Sequence, residues 1–218
     1  MKIAVLGTGM VGDTIGSKLI ELGHEVKMGS RAAGNEKAMA WVSKHKKNAS
    51  EGTFEDAAKF GEIVFNCTNG MGSLEALKQA GASNLQGKVM IDISNPLDFS
   101  KGMPPSLSVC NTSSLGEEIQ KSFPEVKVVK ALNTLNCSLM VNPGSLAGGD
   151  HNIFICGNDE GAKKQAKDLL EQFGWKSNAI IDLGDITAAR GTEMILPIWL
   201  RLMGTLGSPA FNFKIVRN

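Results

Sequence analysis

The sequence predicts an α/β fold, a doubly wound parallel sheet with a C-terminal helical extension. Short apolar runs alternate with amphipathic stretches up to residue 183, which is typical of parallel strands joined by crossover helices. A glycine-rich turn follows the first run directly, and the last stretch of the chain is apolar on nearly every side. We therefore expect a sheet domain over 1–183, and a C-terminal helix and tail over 184–218 that closes the cleft.

The predicted elements follow from these runs and from their flanking turn residues. Strands are expected at 2–6, 25–28, 62–67, 88–93, 126–131, 152–156 and 179–182, with a weaker one near 48–50. Helices are expected at 10–22, 35–46, 54–60, 72–80, 113–122 and 159–173. Segment 94–110 contains three prolines and is predicted to be a loop or lid.

A G-x-G-x-x-G motif lies between the first strand and the first helix. The motif comprises Gly7, Thr8, Gly9, Met10, Val11 and Gly12. Its first glycine permits a tight turn, its second lets the backbone approach a pyrophosphate, and its third allows close packing of helix on strand. The pyrophosphate then meets the positive end of the helix. In this context the motif favours a Rossmann NAD(P)-binding site over a turn with only a structural role.

The end of the second strand indicates which dinucleotide is bound. An NAD site usually has an acidic residue here for the adenosine ribose, whereas this chain has Ser30 and Arg31. A serine hydroxyl can donate to a phosphate, and the arginine fork suits a phosphate dianion. Lys37 is close enough in sequence to add positive charge. We therefore expect NADP, although Arg31 could also be an ordinary exposed loop arginine.

Small polar residues follow three further strands. Thr68 and Asn69 follow strand 62–67, Asn95 follows strand 88–93, and Asn133 follows strand 126–131. The carboxyl ends of parallel strands form the ligand crevice, where amides and hydroxyls suit the ribose and carboxamide groups of a dinucleotide. Asn-Gly and Asn-Pro are also ordinary turn dipeptides, and for Asn95 alone the two interpretations are equally good.

The crevice is predicted to contain no general acid. The chain has no tyrosine, and its histidines, His24, His45 and His151, are expected away from the crevice. Lys130 lies near the crevice but is consistent with a simple strand-end charge. A carbonyl reductase needs a placed proton donor, whereas hydride exchange between two ring cofactors needs mainly proximity and orientation. No catalytic residue is assigned, and the pattern favours exchange between ring cofactors.

Composition limits the class of partner. A net charge of +1 gives no reason to expect nucleic acid or an anionic membrane surface. The longest apolar stretch, Met194–Leu206, contains Pro197, Arg201 and Gly204 and is too short to cross a bilayer. The cysteines are widely spaced without a C-x-x-C pair, so we expect buried free thiols in a reducing cytoplasm and no metal site.

The C-terminal stretch Asp185–Leu206 is predicted to form one long helix with a kink at Pro197. Its second half presents more apolar surface than one sheet face can cover. These residues are Ile195, Leu196, Ile198, Trp199, Leu202, Met203 and Leu206. Because large apolar patches usually mark interfaces, we expect a homodimer held by this helix. Phe211–Val216 could form a final strand or an extended tail.

Four segments together resemble a known family. MKIAVLGTGMVG, GSR, KALNT and AARGTEMILPIWLRLMGTLG are similar to NADP oxidoreductases of the coenzyme F420-dependent type, to which the cytosolic domain of six-transmembrane metalloreductases is related. The resemblance covers nearly the whole chain and implies phosphate contacts at Ser30 and Arg31. It also implies that a second ring stacks on the nicotinamide near Asn133, in a pocket closed by the C-terminal helix, and that the protein is a homodimer. The archaeal deazaflavin enzymes carry a histidine at the position of Asn133.

Three functions follow from this pattern. The first is NADPH-dependent hydride exchange with a deazaflavin such as F420 or with a flavin. The second is an imine or ketone reductase resembling pyrroline-carboxylate reductase, with a proton relay through water or Lys130. The third is a non-catalytic NADP-binding sensor.

Overall fold

The N-terminal apolar run forms a central strand of an eight-stranded sheet. The computed structural model describes residues 1–217, and the strand order in the sheet is β10-β9-β8-β5-β4-β1-β2-β3. The strands of the sheet are β1 (Lys2–Leu6), β2 (Glu25–Ser30), β3 (Ala49–Thr53), β4 (Ile63–Asn66), β5 (Val89–Asp92), β8 (Lys127–Ala131), β9 (Ile153–Gly157) and β10 (Ile180–Asp182). A separate two-stranded hairpin joins β6 (Leu97–Asp98) to β7 (Ser106–Leu107).

Helices cover both faces of this sheet. They are α1 (Met10–Glu21), α2 (Glu36–His45), α3 (Phe54–Phe60), α4 (Gly70–Ala80), α5 (Ala82–Leu85), α6 (Leu115–Ser122), α7 (Cys137–Val141), α8 (Glu160–Gln172), α9 (Ala189–Met194) and α10 (Leu196–Leu206). Successive side chains of β1 point to opposite faces. Ile3 and Val5 pack with α1, α2, α7 and α8, whereas Ala4 and Leu6 pack with α3, α4, α6 and α9.

The predicted α/β class and most predicted elements are confirmed. Each expected strand is present within a few residues of its predicted limits, including the weak one, which is β3. Each of the six expected helices is present as well. Segment 94–110 is mainly irregular but contains the β6–β7 hairpin. Among residues 1–217, no helix is both long enough and apolar enough to span a bilayer.

The prediction of a wholly parallel sheet is wrong at one edge. β9 runs antiparallel to β8, with Val129 opposite Gly157, and β10 runs parallel to β9. The physical reason is the connection between β8 and β9. Its single α-helix, α7, has five residues and extends only about 7.5 Å. This is too short to carry the chain back across the sheet, so β9 starts at the edge where β8 ended and runs in the opposite direction.

This reversal corrects the expected position of His151. Because β9 starts at the carboxyl edge of the parallel strands, His151 lies at the crevice edge and not at the opposite one. The ring is buried and has structural partners. Its Nε2 lies 3.0 Å from the carbonyl oxygen of Pro143, and its Nδ1 lies 2.8 Å from Nδ2 of Asn212.

The C-terminal segment is broken where one helix was predicted. A short 3₁₀ turn over Ile186–Ala188 precedes α9, and α10 begins after Ile195. Pro197 lies in the first turn of α10, where its missing N–H is tolerated. Phe211–Val216 is an extended tail without a regular strand, and the amide N–H of Asn152 donates to its Phe213 carbonyl at 2.9 Å. Asn218 lies outside the described residues.

Helix α9 is docked on α6 by polar contacts. Arg190 pairs with Glu117 through Nε–Oε2 at 2.8 Å and through a second contact to Oε1. The bidentate contact holds the pKa of Glu117 below its ordinary value. Gly116 of α6 faces the Cβ of Ala189 at a point where a side chain would meet it at 3.0 Å. The first turn of the C-terminal segment is therefore closely packed on the sheet domain.

We predict a pH-dependent loss of stability in Glu117→Gln. A depressed carboxyl pKa stabilises the fold above the ordinary glutamate range, and this contribution disappears as the pH falls through the folded-state pKa. The variant should lose less than about 1 kcal/mol at pH 7, because the pair is partly exposed. Thermal melts should show this difference shrinking below about pH 4. Glu118→Gln, on the same helix, is the matched control, and an equal loss in both would contradict the assignment.

Candidate functional site

The turn after β1 is shaped to accept a ligand against the N-terminus of α1. Gly7 has a φ of 117°, a region that L side chains rarely adopt. A Cβ on Gly12 would lie 2.0 Å from the Gly7 carbonyl oxygen, so only glycine lets α1 begin here. A Cβ on Gly9 would meet nothing within 4 Å, because this backbone faces open space. The cradle therefore fits the pyrophosphate of a dinucleotide.

A cleft of about 690 Å³ lies beside the end of β2. We call it the β2-side cleft. It is lined by Gly7, Thr8, Gly9, Ser30, Arg31, Asn35, Lys37, Phe54, Cys67, Thr68, Asn69, Gly72, Glu75, Ala76 and Gln79. Arg31 and Lys37 thus share one cleft, as the sequence suggested, and both can contact a phosphate there.

Two of the predicted residues have a different immediate role. The Ser30 hydroxyl donates to the carbonyl oxygen of Ala32 at 2.6 Å, so its proton stabilises the loop. Met10 is exposed and lines a groove of about 450 Å³ between α1 and α2, which also includes Thr8 and Lys37. Positive charge toward a phosphate in the β2-side cleft therefore comes from Arg31 and Lys37.

A smaller cavity of about 180 Å³ lies beside the end of β5. We call it the β5-side cavity. It is lined by Val11, Cys67, Thr68, Asn69, Gly70, Ile93, Ser94, Asn95, Leu97 and Phe99. None of these side chains is charged at neutral pH, since burial raises the pKa of the Cys67 thiol well above its ordinary value. Phe99 is 49% exposed at the mouth. The cavity thus offers an uncharged surface with one aromatic ring.

The strand-end amides are hydrogen-bonded to one another and to the backbone. Asn69 caps α4 by accepting from the Met71 amide at 3.1 Å. The Asn95 amide donates to the Asn133 carbonyl at 2.8 Å and accepts from the Asn133 side chain at 3.0 Å. Asn133 is therefore held by Asn95, which lines the β5-side cavity, but Asn133 itself is buried and lines neither this cavity nor the β2-side cleft. For Asn95, the sequence left a turn residue and a cavity residue as alternatives, and in the structure it is both.

Lys130 is not a strand-end charge, because it lies in a buried ion cluster. Its Nζ lies 2.8 Å from Asp92 Oδ2 and 2.7 Å from Glu193 Oε1. Burial alone disfavours the ammonium, but the two carboxylates outweigh burial and hold the pKa of Lys130 above its ordinary value. The lysine therefore stays charged at neutral pH and is unsuited to donate a proton in a reaction.

The other histidines lie away from both cavities. His24 contacts Gln172 at 3.2 Å, and His45 contacts Ser17 at 2.8 Å. All four cysteines are free thiols, but the expectation that they are buried holds for Cys137 and Cys156 only, because Cys67 is half-buried and Cys110 is exposed. In the described part of the chain, no group of three or more His, Cys, Asp or Glu residues could hold a metal ion.

Gly70 is a site residue that the sequence reasoning missed. It opens α4 and lines the β5-side cavity. A Cβ at Gly70 would lie 1.9 Å from the Asn95 carbonyl oxygen, so the turn after β5 touches the helix backbone directly. Asn69-Gly70 reads as a turn dipeptide, and nothing in the sequence shows that its glycine faces residue 95.

We predict that Gly70→Ala disturbs this contact. The added methyl should separate α4 from the Asn95 turn, lower the free energy of unfolding by about 1–3 kcal/mol and weaken NADPH binding. Urea denaturation and cofactor titration measure both effects. Gly72→Ala, two residues along the same helix, is the control, because a Cβ there meets nothing within 4 Å. It should leave the free energy of unfolding unchanged or raise it. Equal losses in the free energy of unfolding in both variants would refute the close contact between Gly70 and Asn95.

Comparison with known proteins agrees with this geometry. The family model described as NADP oxidoreductase, coenzyme F420-dependent, matches residues 2–96. The F420-dependent NADP reductase of Methanocaldococcus jannaschii is 31% identical over 213 residues, covering 93% of this chain and 92% of that protein. The metalloreductase STEAP3 of Rattus norvegicus is 28% identical over 91% of this chain, which spans 38% of that protein.

One solved structure supports the same family, and a second shares the fold. A candidate F420-dependent NADP reductase from Arthrobacter sp. FB24 matches with a TM-score of 0.94 at 53% identity, and 100% of each chain is covered. The imine reductase of Bacillus cereus BAG3X2 matches with a TM-score of 0.66 at 15% identity, over 94% of this chain and 62% of that one. This second likeness is one of fold alone. The chain therefore belongs to the coenzyme F420-dependent family of NADP oxidoreductases.

Proposed function

We propose that this oxidoreductase exchanges hydride between NADP(H) and a planar ring acceptor, a deazaflavin of the F420 type or a flavin. The observation that carries the proposal is the β5-side cavity, whose lining is uncharged and contains no group that exchanges a proton at neutral pH. Transfer between two rings needs proximity and orientation more than acid–base catalysis. The name of the 31%-identical Methanocaldococcus jannaschii relative supports F420 as the acceptor.

The residues divide the work by position along the cleft. The backbone at Gly9 and the N-terminus of α1 would hold the pyrophosphate, and Arg31 with Lys37 would hold the 2′-phosphate. The Asn95–Asn133 pair and Thr68 would orient the nicotinamide end. When bound, the nicotinamide supplies the hydride. The apolar side chains of Val11, Leu97 and Phe99 would exclude water from the transfer and contact the flat acceptor.

The structure weakens the alternative of an imine or ketone reductase. That reading needs a proton relay, and Lys130 is buried between two carboxylates with its pKa raised. The similarity to imine reductases is one of fold and does not indicate the substrate, because the sequence identity is 15%. A non-catalytic sensor is separated from an enzyme only by turnover, which the acceptor experiment below measures.

We predict a preference for NADPH that depends on Arg31. One charge-assisted, partly exposed phosphate contact contributes roughly 1.5–3 kcal/mol, or about one to two decades in affinity. Arg31→Ala should therefore weaken NADPH binding by that factor and leave NADH binding nearly unchanged, as measured by titration. Lys176→Ala, which removes a cation outside both cavities, serves as a control. Equal losses for NADPH and NADH in Arg31→Ala would refute the phosphate contact.

We predict turnover with a ring acceptor and none with small carbonyl compounds. The assay follows NADPH oxidation with F420, a flavin, ketones and imines. Asn133→Ala should change the acceptor kinetics more than the NADPH affinity, because Asn133 lies toward the β5-side cavity and not toward Arg31. Rapid turnover of a ketone or imine, with none for either ring, would overturn the proposal. Tight NADPH binding without any turnover would favour the sensor.

We also propose a homodimer formed through α10. Ile198 and Leu206 are 55% and 58% exposed in the single chain, and the buried Trp199 Nε1 has no hydrogen-bond partner among the described residues. The double variant Ile198→Lys/Leu206→Lys should be monomeric by light scattering at micromolar concentration, because two buried charges oppose the interface. Met39→Lys, an exposed apolar position on α2, should remain dimeric. A monomeric wild-type protein would refute this interface.

A further inference from the structure

Three fully buried charged side chains connect the C-terminal segment to the sheet. Asp92 comes from β5, Lys130 from β8 and Glu193 from α9, and the side chains of the two ion pairs are at most 2% exposed. Asp92 and Lys130 are direct neighbours in the strand register. Glu193 comes from a segment about 60 residues further along the chain, and no motif in the sequence indicates that it lies beside them.

At the Glu193 end of the cluster, both carboxylate oxygens accept backbone hydrogen bonds. Glu193 Oε2 accepts from the Leu115 amide at 2.8 Å, and Oε1 accepts from the Gly116 amide at 3.0 Å. These are the free N–H groups at the N-terminus of α6, where a carboxylate is favoured. Glu193 therefore holds α9, α6 and β8 together, and each of its oxygens is committed to a defined partner.

At the other end of the cluster, Asp92 and Lys130 contact Ser94, which lines the β5-side cavity. Lys130 donates to the Ser94 carbonyl, and Asp92 Oδ1 accepts from the Ser94 hydroxyl at 2.6 Å. Asp92 Oδ1 also accepts from the Asn66 amide at 2.8 Å. Asn66 Oδ1 in turn accepts from the Thr68 hydroxyl at 2.7 Å. Two of the cavity-lining residues, Ser94 and Thr68, are thus fixed by a continuous chain of contacts that begins at Glu193.

We propose that Glu193 is a positioning residue for the nicotinamide half of the cofactor. Through Lys130 and Asp92 it fixes the Ser94–Asn95 turn, which lines the β5-side cavity and not the β2-side cleft, and Thr68, which lies between the two and lines both. The adenosine half lies at the β2-side cleft, whose cationic residues Arg31 and Lys37 have no contact with the cluster. Loss of Glu193 therefore affects the nicotinamide end of the cofactor site more than the adenosine end. The inference rests on the proposed function only in assigning the two halves of the cofactor to these two cavities.

The test compares two ligands that differ only in the nicotinamide. NADPH and 2′-phospho-ADP-ribose are titrated against the wild-type protein and Glu193→Gln. In the variant, the amide NH₂ replaces either Oε2, where it faces the Leu115 N–H, or Oε1, where it faces both Lys130 and the Gly116 N–H, so at least one contact is broken although the shape is kept. We expect NADPH affinity to fall about tenfold, the worth of one well-placed hydrogen bond. The affinity for 2′-phospho-ADP-ribose should stay within about twofold of wild type.

Two further variants separate positioning from general loosening. Arg190 lies one helical turn before Glu193 and forms a partly exposed pair with Glu117. Arg190→Gln breaks that pair and should leave the ratio of the two affinities unchanged. Ser73→Ala removes a buried hydroxyl that contacts Asn66 and Thr68 without changing any charge. It should shift the ratio in the same direction as Glu193→Gln, and it provides the test if that variant does not fold.

Equal losses for both ligands in Glu193→Gln, or no change in either, would overturn the proposal. So would an equal shift of the ratio in Arg190→Gln. Neither titration requires an acceptor. A shifted ratio in a protein that turns over no acceptor would therefore refute the proposed reaction and leave this inference standing. Turnover of a ring acceptor with an unshifted ratio would do the reverse.

Discussion

Two backbone contacts that leave no room for a Cβ atom set the geometry of the whole cleft. Gly12 lies against the Gly7 carbonyl, and Gly70 lies against the Asn95 carbonyl. The first contact places the N-terminus of α1 at the end of β1, and the second places the N-terminus of α4 against the turn after β5. Gly7 lines the β2-side cleft and Gly70 lines the β5-side cavity, so each cavity lies beside one of these contacts. A dinucleotide is anionic, and the positive end of a helix favours it before any side chain takes part.

Charge is kept out of one part of the cleft and placed in another. The β2-side cleft has Arg31 and Lys37, whereas the β5-side cavity has no charged lining residue. The ion cluster of Asp92, Lys130 and Glu193 lies behind that cavity, where each group is paired and hydrogen-bonded. Removing Lys130 from this buried cluster would leave two carboxylates without a counter-charge, at a cost of about 3–5 kcal/mol. The arrangement gives the cavity rigid walls while keeping its surface uncharged.

The sequence predicted the half of the site that depends on local chain chemistry. The glycine motif and the Ser30-Arg31 pair lie within a few residues of their strands, so turn chemistry and strand order were enough to predict that they meet in one cleft. The prediction from the sequence failed where contacts join segments that are far apart in the chain. The reversal of β9 follows from a helix too short to cross the sheet, and the position of Glu193 beside Lys130 joins residues far apart in the chain. Ser30 shows a third limit, because its hydroxyl donates to its own loop.

The raised pKa of Lys130 connects the fold to the chemistry. A lysine whose folded-state pKa is raised contributes its stability below the ordinary lysine value and loses it only as the pH rises through the folded value. Its charge is therefore constant through the neutral range, and it cannot alternate between donor and acceptor during a turnover. Cys67 is equally fixed, because burial keeps its thiol protonated. Since Lys130 and Cys67 each hold one protonation state, the chemistry best suited to the β5-side cavity is one that moves a hydride and asks the protein for no proton.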